Sequence, residues 1–280
     1  MKKLLEIYRL EMISQNLSEY TIKNTMCRLS KFCDYVGTPD KIDKMHINQY
    51  ISTLRQRLKE QSVNEHIKTI RKFIKYLYDE EYIDKRINIK SYKVDKIVQE
   101  QVLSDERIKE IIEGLKKQKK NFFSVRNLTI VSMLADTGIR LSELCNLRIC
   151  DINDNTMTVS AKRKQRIVPI SPKLNLQIHK YLIARESFCG SNTDNNYLFV
   201  SRSSRQLTSS GVQMILNNID SNLHPHMFRH YYIQSLLKSG VNIYYIARVV
   251  GHESINTTEV YLRSMKQSDI INNIINHTNL

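Results

Sequence analysis

The sequence predicts a mainly α-helical protein with one small antiparallel β-sheet, divided into two units. Three observations lead there. Apolar residues recur at helical spacing through the first 80 positions. That periodicity then fades over a short basic stretch. Beyond it, a single region of alternating apolar and polar residues interrupts an otherwise helical pattern.

In the first unit Ile22, Met26, Leu29, Phe32, Cys33 and Val36 are spaced by one to four residues, and Val63, Ile67, Ile70, Phe73, Ile74 and Leu77 repeat the pattern. Each set lies on one face of a helix. Ile47, Ile51, Leu54 and Leu58 form a third stripe between them. Ser18 and Ser62 are expected as N-caps, and Gly37-Thr38-Pro39 as a turn. The expectation is a bundle of about four helices. From Asp84 to Gln101 the periodicity is lost while Lys85, Arg86, Lys90, Lys93 and Lys96 accumulate, which predicts a basic interdomain linker over 85–101.

The second unit, 102–280, opens with a helix at Ser104-Asp105-Glu106, whose acidic side chains favour the positive end of the helix dipole. Helical patterns cover roughly 104–118, 122–136 and 139–147. Met157, Val159 and Ala161 then alternate with polar residues, and Ile167, Val168 and Ile170 follow a charged interval, which predicts two strands joined by a tight turn. Pro172 suits the first turn of the next helix. The Asn-rich patch 192–196 reads as a surface loop.

The formal net charge is +15 over 280 residues. Basic residues outnumber acidic ones both in 1–95 and in the remainder, so a polyanion touched by both units is the partner this balance suggests. The five cysteines are odd in number and contain no Cys-x-x-Cys. A disulfide framework or zinc knuckle is therefore not indicated, and a reducing, cytoplasmic setting is expected. No stretch is apolar enough for a signal sequence or a membrane span. No membrane partner, small-molecule substrate, metal or cofactor is expected.

Three segments could carry phosphodiester chemistry, which needs a nucleophile, cations around the non-bridging oxygens and a proton donor for the leaving oxygen. The first is Thr137-Gly138-Ile139-Arg140-Leu141-Ser142-Glu143. Gly138 should end one helix and Arg140 begin the next, where free N–H groups already favour phosphate. Glu143 could orient Arg140, although a surface ion pair is the plainer reading of this segment alone. The second is His224-Pro225-His226-Met227-Phe228-Arg229-His230, in which His226 and Arg229 share a helix face. A capped helix start with a partly buried imidazole would explain it as well. The third runs from Gly251-His252 to Thr257-Thr258 and Tyr261. With 15 tyrosines in the chain, a structural role for Tyr261 is the default, as it is for Tyr231, Tyr232, Tyr244 and Tyr245. Lys162, Arg163, Lys164 and Arg166 cluster at the predicted hairpin, where a solvated basic tip, phosphate positioning or a proton-donating lysine are all open.

Taken together and in this order, these segments resemble the tyrosine recombinase or phage integrase family, and the length and layout are similar to its Xer-type two-domain members. The resemblance covers nearly the whole chain and is best from about Val102. Arg140 fits the family's arginine after Thr-Gly, and His226 and Arg229 fit its His-x-x-Arg pair. His252 fits the histidine of Gly-His, and Tyr261 fits the nucleophile nine residues later. Lys162 is the better match for the hairpin lysine, with Lys164 as the alternative. This hairpin lacks the family's usual glycines, and His224 stands where a small polar residue is more usual.

The resemblance implies an N-terminal helical core-binding domain over 1–84 and a mixed α/β tyrosine-recombinase catalytic domain over 102–280, the two clamping double-stranded DNA. It implies site-specific recombination through a 3′-phosphotyrosyl intermediate, for integration or excision of a mobile element or Xer-type resolution. A homotetramer, or a mixed assembly with related recombinase subunits, would hold two DNA sites. Ile270, Ile271, Ile274 and Ile275 would form a C-terminal docking helix. A type IB topoisomerase-like enzyme and a catalytically decayed DNA-binding regulator are the alternatives.

Overall fold

The computed structural model describes residues 1–92, 103–161, 164–190, 195–252, 254 and 257–259. The chain separates into two compact units, Met1–Val98 and Gln99–Leu280.

The first unit contains four α-helices: α1 (Lys2–Ser14), α2 (Glu19–Val36), α3 (Lys44–Arg55) and α4 (Glu60–Asp79). Their stripes meet in one core, in which Leu29, Phe32, Ile47, Val63, Ile67, Ile70, Phe73 and Leu77 are fully buried. The Ser18 side chain accepts from the Thr21 N–H and caps α2, as its position predicts. Ser62 does not cap α4. That helix starts two residues earlier, at Glu60 after Lys59, so Ser62 lies inside its first turn. Leu58 falls beyond the end of α3 and is exposed, which shortens the expected third stripe. Gly37 takes φ +82 and ends α2, and Pro39–Lys41 makes a single 3-10 turn.

In the segment expected as a linker, Ile89 is buried and Ile87 and Tyr92 pack on the first unit's core. The Asn64 side chain exchanges two hydrogen bonds with the Tyr92 backbone. Residues 93–101 of the expected linker lie outside the described residues.

The second unit holds α5 (Asp105–Lys116), α6 (Phe122–Thr137), α7 (Leu141–Asn146), β1 (Thr156–Ala161), β2 (Lys164–Pro169), α8 (Pro172–Cys189), α9 (Ser209–Ile219), α10 (Pro225–Lys238) and α11 (Ile243–Val250). Ser104 caps α5 and Ser171 caps α8, with Pro172 at the first position of that helix. The two strands pair antiparallel from Thr156 opposite Pro169 to Ala161 opposite Lys164. Met157, Val159 and Val168 face the core while Ile167 faces solvent, as a period of two requires. α6 is buried nearly all round, packed against α5, α8 and α10. Tyr232 and Ile233 of α10 join Ile246 and Val250 of α11 in a smaller cluster.

No helix among the described residues is long and apolar enough to cross a membrane. Of the Asn-rich loop, 192–194 lie outside the described residues, and so does the expected docking helix.

Candidate active site

The end of α11 organises this site. A helix C-terminus leaves carbonyl oxygens without intrahelical donors and carries partial negative charge. Here three consecutive carbonyls each receive an arginine from a different element. Arg166 of β2 donates Nε–H to the Val249 oxygen at 2.6 Å. Arg229 of α10 donates to the Val250 oxygen at 2.6 Å and, with its other terminal nitrogen, to the Gly138 oxygen at 2.8 Å. Arg140, at the N-cap of α7, donates to the Gly251 oxygen. Arg229 is 4% exposed, and the Arg140 side chain keeps 34% of its surface open.

Two glycines make this convergence geometrically feasible. Gly138 ends α6 at φ +57, and a Cβ there would lie 2.6 Å from Cδ1 of Tyr232. Gly251 ends α11 at φ +70, and a Cβ there would lie 3.0 and 3.1 Å from the guanidinium nitrogens of Arg166 and Arg140. Both residues need the left-handed backbone, and both have a neighbour where a side chain would begin.

Glu143 lies beneath the fan with its side chain fully buried. Oε2 accepts from the Arg140 backbone N–H at 2.7 Å, and Oε1 accepts from the Arg140 guanidinium at 3.0 Å. Arg166 grips the same carboxylate with both terminal nitrogens, at 2.6 and 2.8 Å. Burial pushes this carboxyl up. The hydrogen bonds from Arg166 and from the Arg140 backbone outweigh it and hold Glu143 below the usual carboxylate range. Arg140 and Glu143 are thus not the surface pair that their segment suggests in isolation, because Glu143 is in the core and shared by two arginines.

His252 follows directly. Its pKa is pushed down to about 4, by burial first and then by the charges of Arg229, Arg140, His230 and Arg166. It is therefore a neutral imidazole at pH 7. Nδ1 lies 2.6 Å from Oγ1 of the fully buried Thr258. When the Thr258 hydroxyl donates, Nε2 carries the ring proton and is a hydrogen-bond donor. His226 sits on the first turn of α10, one turn before Arg229, and is exposed. The structure thus brings Arg140, Arg229 and His252 into one cluster. Lys162 and Tyr261 lie outside the described residues, and Lys164 is exposed. Among the described residues no group of three or more His, Cys, Asp or Glu is placed to hold a metal ion.

Residues 101–268 match the phage integrase family, and residues 8–81 match the N-terminal SAM-like domain of phage integrases. The chain belongs to the phage integrase family. It is a site-specific recombinase of the tyrosine type. This recombinase is 31% identical to a tyrosine recombinase of Agathobacter rectalis, over 92% of this chain and 91% of the relative. It is 28% identical to tyrosine recombinase XerD of Oceanobacillus iheyensis, over 91% of each. Its structure is similar to the crystal structure of XerA recombinase, with 28% identity, a TM-score of 0.56 and 99% of each chain covered. It shares its fold with XerH site-specific recombinase bound to a palindromic difH substrate, at a TM-score of 0.74 and 20% identity, over 91% of this chain and 79% of that one.

Sequence reasoning for this recombinase misses Arg166, grouped with Lys162, Arg163 and Lys164 as a basic tip. The signal was available: Arg166 is two residues before Val168 in a strand, so it shares that residue's inward face. Tyr244 and Tyr245 also depart from expectation. Both are exposed rather than buried and hydrogen-bonded, whereas Tyr231 donates to Oδ1 of Asp105 at 2.7 Å.

Proposed function

We propose that this recombinase cleaves and rejoins double-stranded DNA through a covalent 3′-phosphotyrosyl bond to Tyr261. Arg140 and Arg229 hold the non-bridging oxygens of the scissile phosphate, assisted by His226. The Tyr261 oxygen attacks phosphorus and gives up its proton to solvent, the P–O5′ bond breaks, and Lys162 protonates the departing 5′ oxygen. With the Thr258 hydroxyl donating to Nδ1, neutral His252 presents its Nε2–H to a phosphate oxygen. The phosphotyrosine conserves the energy of the broken ester. The 5′ hydroxyl of a partner duplex then reverses the step, and neither a metal nor a nucleotide is consumed.

The observation that carries this reading is the fan of arginines around Gly251. Arg140 and Arg229 are held by the Gly251 and Val250 carbonyls, immediately before His252, which itself stands nine residues before Tyr261. Preorganised cations of this kind stabilise developing negative charge without reorganisation during the reaction. Residues 1–84 serve as the core-binding, DNA-binding domain, 85–101 as the linker and 102–280 as the catalytic domain. Two DNA sites are exchanged within a homotetramer, or a mixed assembly with related subunits, through the apolar stripe of Ile270, Ile271, Ile274 and Ile275. The setting is the cytoplasm, and the task is integration or excision of a mobile element or Xer-type resolution.

Covalent trapping tests the chemistry. The protein is incubated with nicked duplexes from the DNA flanking its own gene, in chelator, and the products are separated under denaturing conditions. A shifted protein–DNA species that is absent with Tyr261→Phe is the expected result. A species that persists in Tyr261→Phe, or that requires added magnesium, overturns the scheme. Exchange between two marked sites then separates recombination from simple relaxation of DNA.

A further inference from the structure

Arg166 has no part in the chemistry proposed above, yet it is one of the most constrained cations in the molecule. Its side chain is 14% exposed. Three of its five N–H donors are engaged, one with the Val249 oxygen and two with the Glu143 carboxylate. It therefore joins β2, the base of α7 and the end of α11 through a single planar group.

The charges explain what this joint does. Glu143 carries one negative charge in the core. Without Arg166 its nearest compensation is Arg140, which already donates to it from both backbone and side chain. A buried carboxylate with one cation left would draw that guanidinium inward and offset its charge. With Arg166 gripping both oxygens, Glu143 is satisfied, and Arg140 directs one side-chain N–H to it and one to the Gly251 oxygen.

We propose that Arg166 is a positioning residue, which takes up the charge of Glu143 so that Arg140 keeps its orientation and its positive charge for the scissile phosphate. This rests on the reading that Arg140 holds that phosphate. Arg166 itself does not touch the DNA. The same contact ties the hairpin that carries Lys162 to the step that carries His252, so one side chain sets the spacing of two parts of the site.

The test uses single-turnover formation of the covalent product on the nicked duplex that the wild-type protein cleaves, with duplex affinity measured separately by mobility shift. Arg140→Ala is the control, and it must slow cleavage. If it does not, the reading of Arg140 fails and this inference fails with it. Given that control, Arg166→Gln should slow the rate constant by about a hundredfold, the order expected for a misplaced catalytic group, while duplex affinity stays within about twofold.

The decisive variant is the double substitution Glu143→Gln and Arg166→Gln, which removes the negative charge along with its partner. It should recover a large part of the rate lost in Arg166→Gln, because Arg140 is no longer pulled by an uncompensated carboxylate. A merely structural role predicts the opposite, since a second change in the core adds damage. A double variant as slow as Arg166→Gln, or slower, overturns the proposal. If Arg166→Gln fails to fold, the double variant is compared with Arg166→Lys, which keeps the charge but not the fork. Cleavage by the double variant within about tenfold of wild type then supports the charge-uptake account, and cleavage below that of Arg166→Lys overturns it.

Discussion

At Gly251 the backbone sits at φ +70, and a methyl group there would press on two guanidinium groups at 3.0 and 3.1 Å. Gly37 has a similar φ of +82, but nothing lies within 4 Å of the Cβ position. The pair separates backbone strain from disturbance of the site. Gly37→Ala and Gly251→Ala should each cost on the order of 1–3 kcal/mol, because each holds a positive φ that an L side chain rarely adopts. Only Gly251→Ala should also slow covalent product formation, by about a hundredfold, because it displaces Arg140 and Arg166. Thermal denaturation together with single-turnover cleavage checks this. Equal cleavage by both variants would mean that the guanidiniums yield without consequence.

His252 makes a second prediction at this scale. Its folded pKa of about 4 lies below the unfolded 6.5. Between these values the unfolded chain binds the proton that the folded chain refuses, so stability rises with pH through this window and is lost as pH falls from 6.5 towards 4. Glu143 adds a loss of the same sign at lower pH, because its depressed carboxyl is protonated first in the unfolded chain. A tenfold change in proton affinity is worth about 1.4 kcal/mol, and solvent reaching part of the His252 ring keeps its contribution below that conversion. In His252→Gln the slope between pH 6.5 and 4 should flatten. Denaturant titrations at several pH values measure it, and an unchanged slope would show that His252 is not held neutral.

At the scale of single elements, capping separates two serines that read alike in sequence. Ser18 and Ser62 each precede an apolar stripe, but only Ser18 accepts from the N–H three residues on. Ser18→Ala should cost about 1 kcal/mol, the usual value of an N-cap, and Ser62→Ala should be nearly neutral. Urea denaturation distinguishes them, and equal losses would place the start of α4 at Ser62. The reason for the ambiguity is physical. Apolar spacing locates the buried face of a helix but not its first turn, which extends past the last core residue. The hairpin teaches the complementary lesson. Alternation located β1 and β2, and the same alternation places Arg166 inward beside Val168. The charge of Arg166 hid this, because a cation inside a strand is only tolerable with a buried carboxylate opposite, and Glu143 is 23 residues away in sequence.

For the molecule as a whole, the helical bundle, the hairpin and the helices that follow were legible because each buries one face with a simple period. The order of the motifs singled out Arg140, Arg229 and His252, which the structure places together, and the spacing offered Glu143 as a partner of Arg140, while the arginines' contacts to the backbone were not legible. For the two arginines those contacts run to the backbone carbonyls of Gly138, Val250 and Gly251, and no side-chain pattern announces a carbonyl. Charge distribution is the other whole-molecule property visible without a structure, and it supports a last prediction. A net charge of +15 with both units basic implies that many phosphates are neutralised at once on DNA. Each neutralised phosphate contributes about −0.9 to the slope of log affinity against log salt, so six to ten contacts weaken binding roughly 10³- to 10⁵-fold between 50 and 200 mM salt. Tyr261→Phe, which cannot cleave under the scheme above, allows this slope to be measured at equilibrium by titrating duplex against salt. A steep slope, near about −5 or beyond, is expected for engagement by both units. A slope near about −2 would confine the phosphate contacts to a few residues such as Arg140 and Arg229, and the basic surface of the first unit would then need another partner.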